Sequence, residues 1–368
     1  MSVQALPSSN EAAAQAFAER AGEIINAGSV AVMMSIGHRT GLFDTMAALP
    51  PSTSAALAQR AALAERYVRE WLAVMTTAGI VTYDSARQTY SLPAEHAACL
   101  TRGAPLGNLA VYAQAIPMMG AAHDRILACF ESGEGTSYSD YPSFHAFMAE
   151  DSAQTVVAQL FDVLLPLADG IADRLGAGID VLDAGCGRGR ALIAMAERFP
   201  QSRFTGYDLC EGAIEDAGRM AGAARLRNVR FEVRDLTGFD EVARYDFITS
   251  FDAVHDQKDP QDFLRRIRRA LRSGGVYLMQ DIGGSARLEN NLQFPMASFL
   301  YAISCVHCTA ISLGQGGVGL GTMWGWETAA AMLRKAGFRR IERHVLPHDP
   351  MNVWFVARYD RRPVCSPE

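Results

Sequence analysis

Apolar residues recur at helical intervals through the first eighty positions, and then the period changes. Residues 11–49 form an alanine-rich run that contains Ser29-Val30-Ala31-Val32-Met33-Met34-Ser35-Ile36-Gly37, predicting helix. Pro50 and Pro51 interrupt it, and Ser52-Thr53 caps a new helical stretch. Residues 54–79 predict two helices separated near Leu63. Residues 80–92 predict a β-hairpin, with β-branched and aromatic residues on either side of a turn at 84–88. Residues 101–167 read as a helical connector. From there on, short apolar strands alternate with helices: strands near 181–184, 202–207, 228–234, 245–250 and 271–279, then a helix at 327–336 and strands at 338–345 and 351–359. That order predicts an α/β domain with a mainly parallel sheet. The expected organisation is therefore 1–100, 101–167 and 168–368, with an insertion at about 284–326.

The most telling stretch is Val181-Leu182-Asp183-Ala184-Gly185-Cys186-Gly187-Arg188-Gly189. An apolar strand enters a turn with glycine at alternate positions, and a helix follows from Arg190. Glycine accepts positive φ and lets a ligand approach the backbone, so this order predicts a nucleoside site. The spacing is G-x-G-x-G rather than the pyrophosphate-binding G-x-G-x-x-G. Asp183 at the strand end would repel phosphates and attract an amine. Later acids fall at later strand ends: Asp208 lies 25 residues beyond Asp183, and Asp235-Leu236 follows the strand at 228–234. A carboxylate at the second strand end can accept both hydroxyls of a ribose.

The run D-A-G-C-G-R-G resembles the first motif of class I S-adenosylmethionine-dependent methyltransferases. The resemblance implies a Rossmann-like domain with a seven-stranded sheet and an antiparallel last strand. It also implies binding of S-adenosylmethionine, with S-adenosylhomocysteine as product, by Asp183, Gly185, Cys186, Gly187, Asp208, Leu209, Asp235, Leu236 and Phe251. Leu271-Arg272-Ser273-Gly274-Gly275 matches the family's entry to its fifth strand. Further runs, Arg66-Tyr67-Val68-Arg69-Glu70-Trp71-Leu72 and Ser312-Leu313-Gly314-Gln315-Gly316-Gly317 among them, resemble a bacterial group of winged-helix methyltransferases best known from mycobacteria. The acceptor that this implies is a small molecule methylated at a hydroxyl, thiol or thioether sulfur.

His255, after the fourth strand, is the candidate for acceptor chemistry. A similarly placed histidine is the general base of many related O-methyltransferases, and Asp256 would orient it or cap the next helix. That group has a tryptophan where this chain has Asp256. Packing alone is the competing role for His255, and a thioether acceptor would need no base. The insertion contributes Tyr301, His307 and Trp324 and five glycines within Gly314 to Gly321, expected as a mobile lid over the site. Tyr138, Tyr141 and Phe144 of the connector would form the opposite wall.

Composition narrows the partners. With 368 residues and 49% hydrophobic content the chain has material for two cores. No run of the length and apolarity of a membrane helix stands out, and the first arginine is Arg20, so no basic-then-apolar signal is expected. A cytoplasmic location with seven free thiols follows. Cys305-Val306-His307-Cys308 lacks a second ligand pair nearby in sequence, so no metal is expected. The helix-helix-hairpin of residues 54–92 is a winged helix, which makes a cofactor-sensing transcriptional regulator the competing function. Residues 1–100 hold six arginines and no lysine against eight acids, a poor balance for binding phosphates. A homodimer interface is the expected role of that domain, with neither nucleic acid nor membrane as partner.

Overall fold

The computed structural model describes residues 10–105 and 107–359. The chain divides into two compact units, residues 1–117 and residues 118–368. The expected connector is thus shared between them: its first 17 residues pack with the first unit.

The first unit starts with α1 (Glu11–Thr40), capped by the Asn10 side chain and ended at Gly41, and continues through α2 (Leu42–Ala47), α3 (Ser54–Ala61) and α4 (Glu65–Thr77). Thr53 caps α3 by accepting from the Ala56 amide. A hairpin of β1 (Thr82–Asp84) and β2 (Thr89–Ser91) follows, then α5 (Ala94–Leu100). Phe43, Leu57, Trp71, Leu72 and Met75 form the core, and the Trp71 indole donates to the Met33 carbonyl at 2.8 Å. Gly37 is what lets α1 settle on that indole. A Cβ there would lie 2.6 Å from Trp71 and 2.9 Å from Phe43. Gly37→Ala should therefore lower the unfolding free energy by about 1–2 kcal/mol, overpacking outweighing the better helix former, and thermal denaturation would show it as a lower Tm.

The division between the units falls within α6 (Ala115–Ala121). The second unit continues with α7 (His123–Ser132), α8 (Phe144–Thr155), the one-turn α9 (Leu165–Leu167) and α10 (Ile171–Ala177). Then strands and helices alternate: β3 (Asp180–Ala184), α11 (Arg190–Arg198), β4 (Arg203–Asp208), α12 (Glu211–Ala223), β5 (Val229–Val233), β6 (Tyr245–Phe251), α13 (Pro260–Ala270) and β7 (Leu271–Ile282). The insertion carries α14 (Ala297–Ile303) and α15 (Thr309–Gly314), joined by a π-turn at Ser304–Cys308. Last come α16 (Trp326–Ala336), β8 (Arg340–Leu346) and β9 (Asp349–Tyr359).

These strands form a seven-stranded sheet in the order β5-β4-β3-β6-β7-β9-β8, with β9 antiparallel to both its neighbours and the other pairs parallel. Both faces are covered: Phe263, Leu264, Ile267 and Leu333 pack on one, Leu175, Leu192, Met195 and Leu165 on the other. This explains why β3 is buried along nearly its whole length, its apolar side chains serving both layers. The strand order reverses at β3, between β4 and β6, and ligands of open α/β sheets bind outside the strand carboxyl ends at such a point.

Three details differ from the sequence reading. Gly274-Gly275 lies inside β7 rather than before it: β7 starts at Leu271 and its pairing with β6 shifts register between Tyr245 and Phe247. The glycine-rich part of the insertion is tied down rather than loose. The Val318 amide donates to the Lys258 carbonyl at 3.2 Å and the Ser312 hydroxyl to the Gln257 carbonyl at 3.1 Å. A Cβ on Gly314 would lie 1.9 Å from the Thr136 carbonyl oxygen, so that glycine serves close packing. Finally, the helical stretch Ala297–Gly314 is long and apolar enough to cross a membrane by length and composition, with 33% of it buried, although the sequence suggested no such run. Leu300 and Ile311 are among its buried side chains.

Candidate functional site

A cleft whose mouth is open to solvent lies at the carboxyl ends of β3, β4 and β6. The loop after β3 forms its floor. Gly185, Gly187 and Gly189 all have positive φ, at 85°, 51° and 68°. Gly189 has no alternative: a Cβ would lie 2.3 Å from the Phe231 ring. At Gly187 a Cβ would meet open space, which leaves the backbone exposed to a ligand.

Asp183 is 2% exposed and pairs in register with Thr249, whose hydroxyl donates to its Oδ1 at 2.8 Å. Burial, with the nearby Asp208 carboxylate adding to it, pushes the Asp183 carboxyl up to about 7 against the Thr249 hydrogen bond. A buried group of this kind is poised to ionise beside an arriving cation. Asp208 ends β4 and accepts from two amides, Gly187 at 2.8 Å and Cys210 at 2.9 Å. The loop after β3 thereby fixes the carboxylate while leaving lone pairs for further donors. Asp235 accepts from the Thr237 amide at 2.8 Å. Asp183, Gly185, Cys186, Gly187, Asp208, Leu209, Asp235, Leu236 and Phe251 all line this one cleft.

The opposite wall is α8 and the turn before it. Tyr138, Phe144, His145, Met148, Ser152 and Thr155 line the cleft, a stripe at helical spacing once the helix begins. Burial, followed by the Asp256 and Asp208 charges, raises the Tyr138 phenol well above the usual tyrosine range. The sequence reading reached Tyr138 and Phe144 but not the rest of the stripe, nor Arg188, Asp252, Gln280 and Gln315. Mixed helical spacing in a connector looks like any amphipathic helix, so only packing against the sheet reveals its face.

His255 stands elsewhere than expected. After β6 the chain turns with Asp252 at φ 50°, and this sends Asp252, Ala253, Asp256 and Gln257 to the cleft while Val254 and His255 face inward. The imidazole is 3% exposed. Its Nδ1 bonds Asp281 Oδ1 at 2.8 Å and its Nε2 lies 3.5 Å from Asp256 Oδ1. Burial pulls the imidazole down, and the Asp281 and Asp256 charges outweigh it, holding it well above the ordinary histidine range. Asp281 Oδ1 also accepts from the Trp324 indole at 2.8 Å and the Ile282 amide at 2.9 Å.

Trp324 therefore backs the site instead of lining it, because its N–H is committed to Asp281. Three other expected wall residues do the same. The Tyr141 hydroxyl donates to the Val306 carbonyl. The Tyr301 hydroxyl accepts from the Asn291 amide nitrogen at 2.9 Å. His307, fully buried, stacks on Phe144 with ring centroids 4.0 Å apart, and burial lowers its pKa to about 4. None of the four lines the cleft.

Residues 28–102 match an Rv2258c-like winged HTH domain and residues 175–337 a methyltransferase domain. Over 100 residues the chain is 34% identical to trans-aconitate 2-methyltransferase of Deinococcus radiodurans; the match takes in 27% of this chain and 36% of that protein, so the chain spans about a third of the relative's length. A putative O-methyltransferase from Nostoc punctiforme superposes with a TM-score of 0.66 over 91% of this chain and 96% of its own, at 21% identity. Human N-acetylserotonin methyltransferase in complex with its cofactor also gives 0.66, over 97% and 100%, at 16% identity. Likenesses at such identities show the fold.

Proposed function

We propose that the chain, in which an Rv2258c-like winged HTH domain is joined to a methyltransferase domain, is an enzyme of the class I, S-adenosylmethionine-dependent type that transfers a methyl group to the hydroxyl, thiol or thioether sulfur of a small molecule. The observation that carries this reading is the convergence of Asp183, the Gly185 to Gly189 loop, Asp208 and Asp235 on one cleft. Asp183 faces the cofactor's ammonium, Asp208 takes the ribose hydroxyls, and Asp235 with Leu236 takes the adenine. Phe251, Leu209 and Cys186 fill the space around them.

The acceptor lies between Tyr138 and Phe144 on one side and Asp252, Asp256 and Gln280 on the other. The methyl group moves by in-line displacement: the acceptor's lone pair forms the new bond as the pair in the methyl–sulfur bond returns to sulfur. Because the sulfonium is an activated donor, the protein's main contribution is to align the acceptor and exclude water. Asp256 reaches the acceptor, and His255 positions Asp256 from behind.

Isothermal titration with S-adenosylhomocysteine tests the cofactor half, and the reading fails if no binding is seen. The titration also has a pH signature. Asp183 is held near 7 in the free protein, so its carboxyl is neutral below that pH and charged above it. A cation binds the charged form. S-adenosylhomocysteine should accordingly bind more tightly as pH rises toward about 7 and level off beyond it. The change is at most about tenfold per pH unit, and it should vanish in Asp183→Asn. Thr249 and Asp208, the groups facing Asp183, are unchanged in that variant.

The regulator reading loses support at α4. Arg69 is bound to Glu65 at 2.9 Å and Arg66 to Glu70, so both cations of the would-be recognition helix are paired within it. Such a helix has little charge left for phosphates. Homodimerisation suits this unit better: Phe17, Ile24, Ile25, Val32 and Ile36 are exposed along α1 at intervals close to seven and four residues. Light scattering should report a dimer, and Ile25→Glu should shift it toward monomer. A cytoplasmic location completes the reading.

A further inference from the structure

Three donor atoms of different chemistry meet behind the cleft. His255, Asp256 and Cys308 are all buried, and their ligand atoms lie within 4.8 Å of one another. We infer that the His255 imidazole, the Asp256 carboxylate and the Cys308 thiolate form a binding site for one divalent transition-metal ion, with zinc the best fit. The sequence hid this because Cys308 stands more than 50 positions from the other two.

The imidazole's other nitrogen shows how the site is prepared. Nδ1 is held by Asp281 Oδ1 at 2.8 Å, which leaves Nε2 as the nitrogen on the Asp256 side. A carboxylate behind a histidine that presents its far nitrogen is the usual support of a metal-bound imidazole. The Trp324 indole and the Ile282 amide fix that carboxylate in turn. Asp256 Oδ1 is buried without a hydrogen-bond partner, a costly arrangement that an ion would relieve. Cys308 arrives on the π-turn at Ser304–Cys308, a kind of distortion frequent at functional sites.

Charge and size agree. One carboxylate and one thiolate balance the two charges of the ion itself, and the buried Asp281 carboxylate behind the imidazole is held by the Trp324 indole and the Ile282 amide. Tetrahedral zinc with ligands at about 2.0–2.3 Å keeps its donor atoms roughly 3.3–3.8 Å apart. The cluster would have to contract by about 1 Å at its widest. A mixed thiolate and imidazole set favours zinc over magnesium or calcium. Three protein ligands leave one position open, the pattern of catalytic rather than structural zinc. Of the three, Asp256 lines the cleft, so the open position is reached from the acceptor's side. On the methyltransferase reading, an acceptor thiol or hydroxyl bound there releases its proton to solvent and attacks the methyl group as the anion.

Cobalt substitution tests the site without relying on turnover. Chelator-treated full-length protein titrated with Co²⁺ should take up one equivalent, with a thiolate-to-cobalt charge-transfer band that Zn²⁺ displaces. Cys308→Ser should lose the band while still binding S-adenosylhomocysteine, which shows that the domain is folded. Asp281→Asn should weaken metal binding about 10- to 100-fold. Failure to take up one equivalent, or a band that persists in Cys308→Ser, overturns the inference. The methyltransferase reading stands or falls separately, on S-adenosylhomocysteine binding to the wild-type chain.

Discussion

Asp208→Ala should weaken S-adenosylhomocysteine binding by about 100- to 10,000-fold, the largest single loss expected in the cofactor half of the cleft. Two ribose hydroxyls would lose a charged acceptor, at roughly 1.5–3 kcal/mol each, and every 1.4 kcal/mol is a factor of ten. The effect is compounded because Asp208 also holds the Gly187 and Cys210 amides, so its removal loosens the loop that forms the cofactor floor. Calorimetry on Asp208→Ala and Asp208→Asn separates the two contributions. The asparagine keeps one oxygen and part of the loop geometry, and should fall between wild type and alanine. Equal affinity in all three proteins would mean that the ribose lies elsewhere.

His255→Ala and Asp256→Asn should part company. With the acceptor placed as proposed, Asp256→Asn removes the charge nearest to it and should lower kcat about 100-fold or more, the range typical of lost proton-transfer or charge assistance. Its Tm should fall less than that of His255→Ala, because Asp256 Oδ1 lies 3.5 Å from His255 Nε2 without a hydrogen bond whereas Asp281 bonds the ring at 2.8 Å. His255→Ala leaves Asp281 in a dry interior without its ionic partner, where breaking a buried pair costs about 3–5 kcal/mol. That loss should appear in denaturant unfolding as well as in rate. A His255→Ala protein of wild-type stability that is merely slow would contradict the inward placement of the ring and restore it as a direct base.

Much of the fold can be read along the chain because its signals are local. The G-x-G-x-G loop, the cap at Thr53, the turn at 84–88 and the strand-end acids each depend on a few neighbouring residues. Their order then implies a parallel sheet, and the switch point at β3 places the cleft. What stays hidden depends on the direction in which a side chain points. His255 and Asp256 are adjacent, and a single left-handed residue, Asp252, sends one inward and the other to the cleft. Asp281 stands near the end of the apolar strand β7 with no local signal of a role, yet it is the acceptor for His255, Trp324 and the Ile282 amide. The glycines at 314–321 read as mobility, whereas the contact of Gly314 with Thr136 shows they serve close packing.

By itself, the sequence determined the pairing of a winged-helix part with a methyltransferase part and the cofactor class, since the glycine turn and each strand-end acid stand in a short local pattern. Tertiary structure alone decided the wall opposite the glycine turn. It brought α8 over the cleft, turned Tyr141, Tyr301, His307 and Trp324 away from it, and set Cys308 beside His255 and Asp256. The physical reason is sequence separation: Cys308 lies more than 50 residues from His255 and Asp256, Tyr141 lies 160 or more from Tyr301, His307 and Trp324, and no local periodicity records which of them the packing of the sheet will bring together.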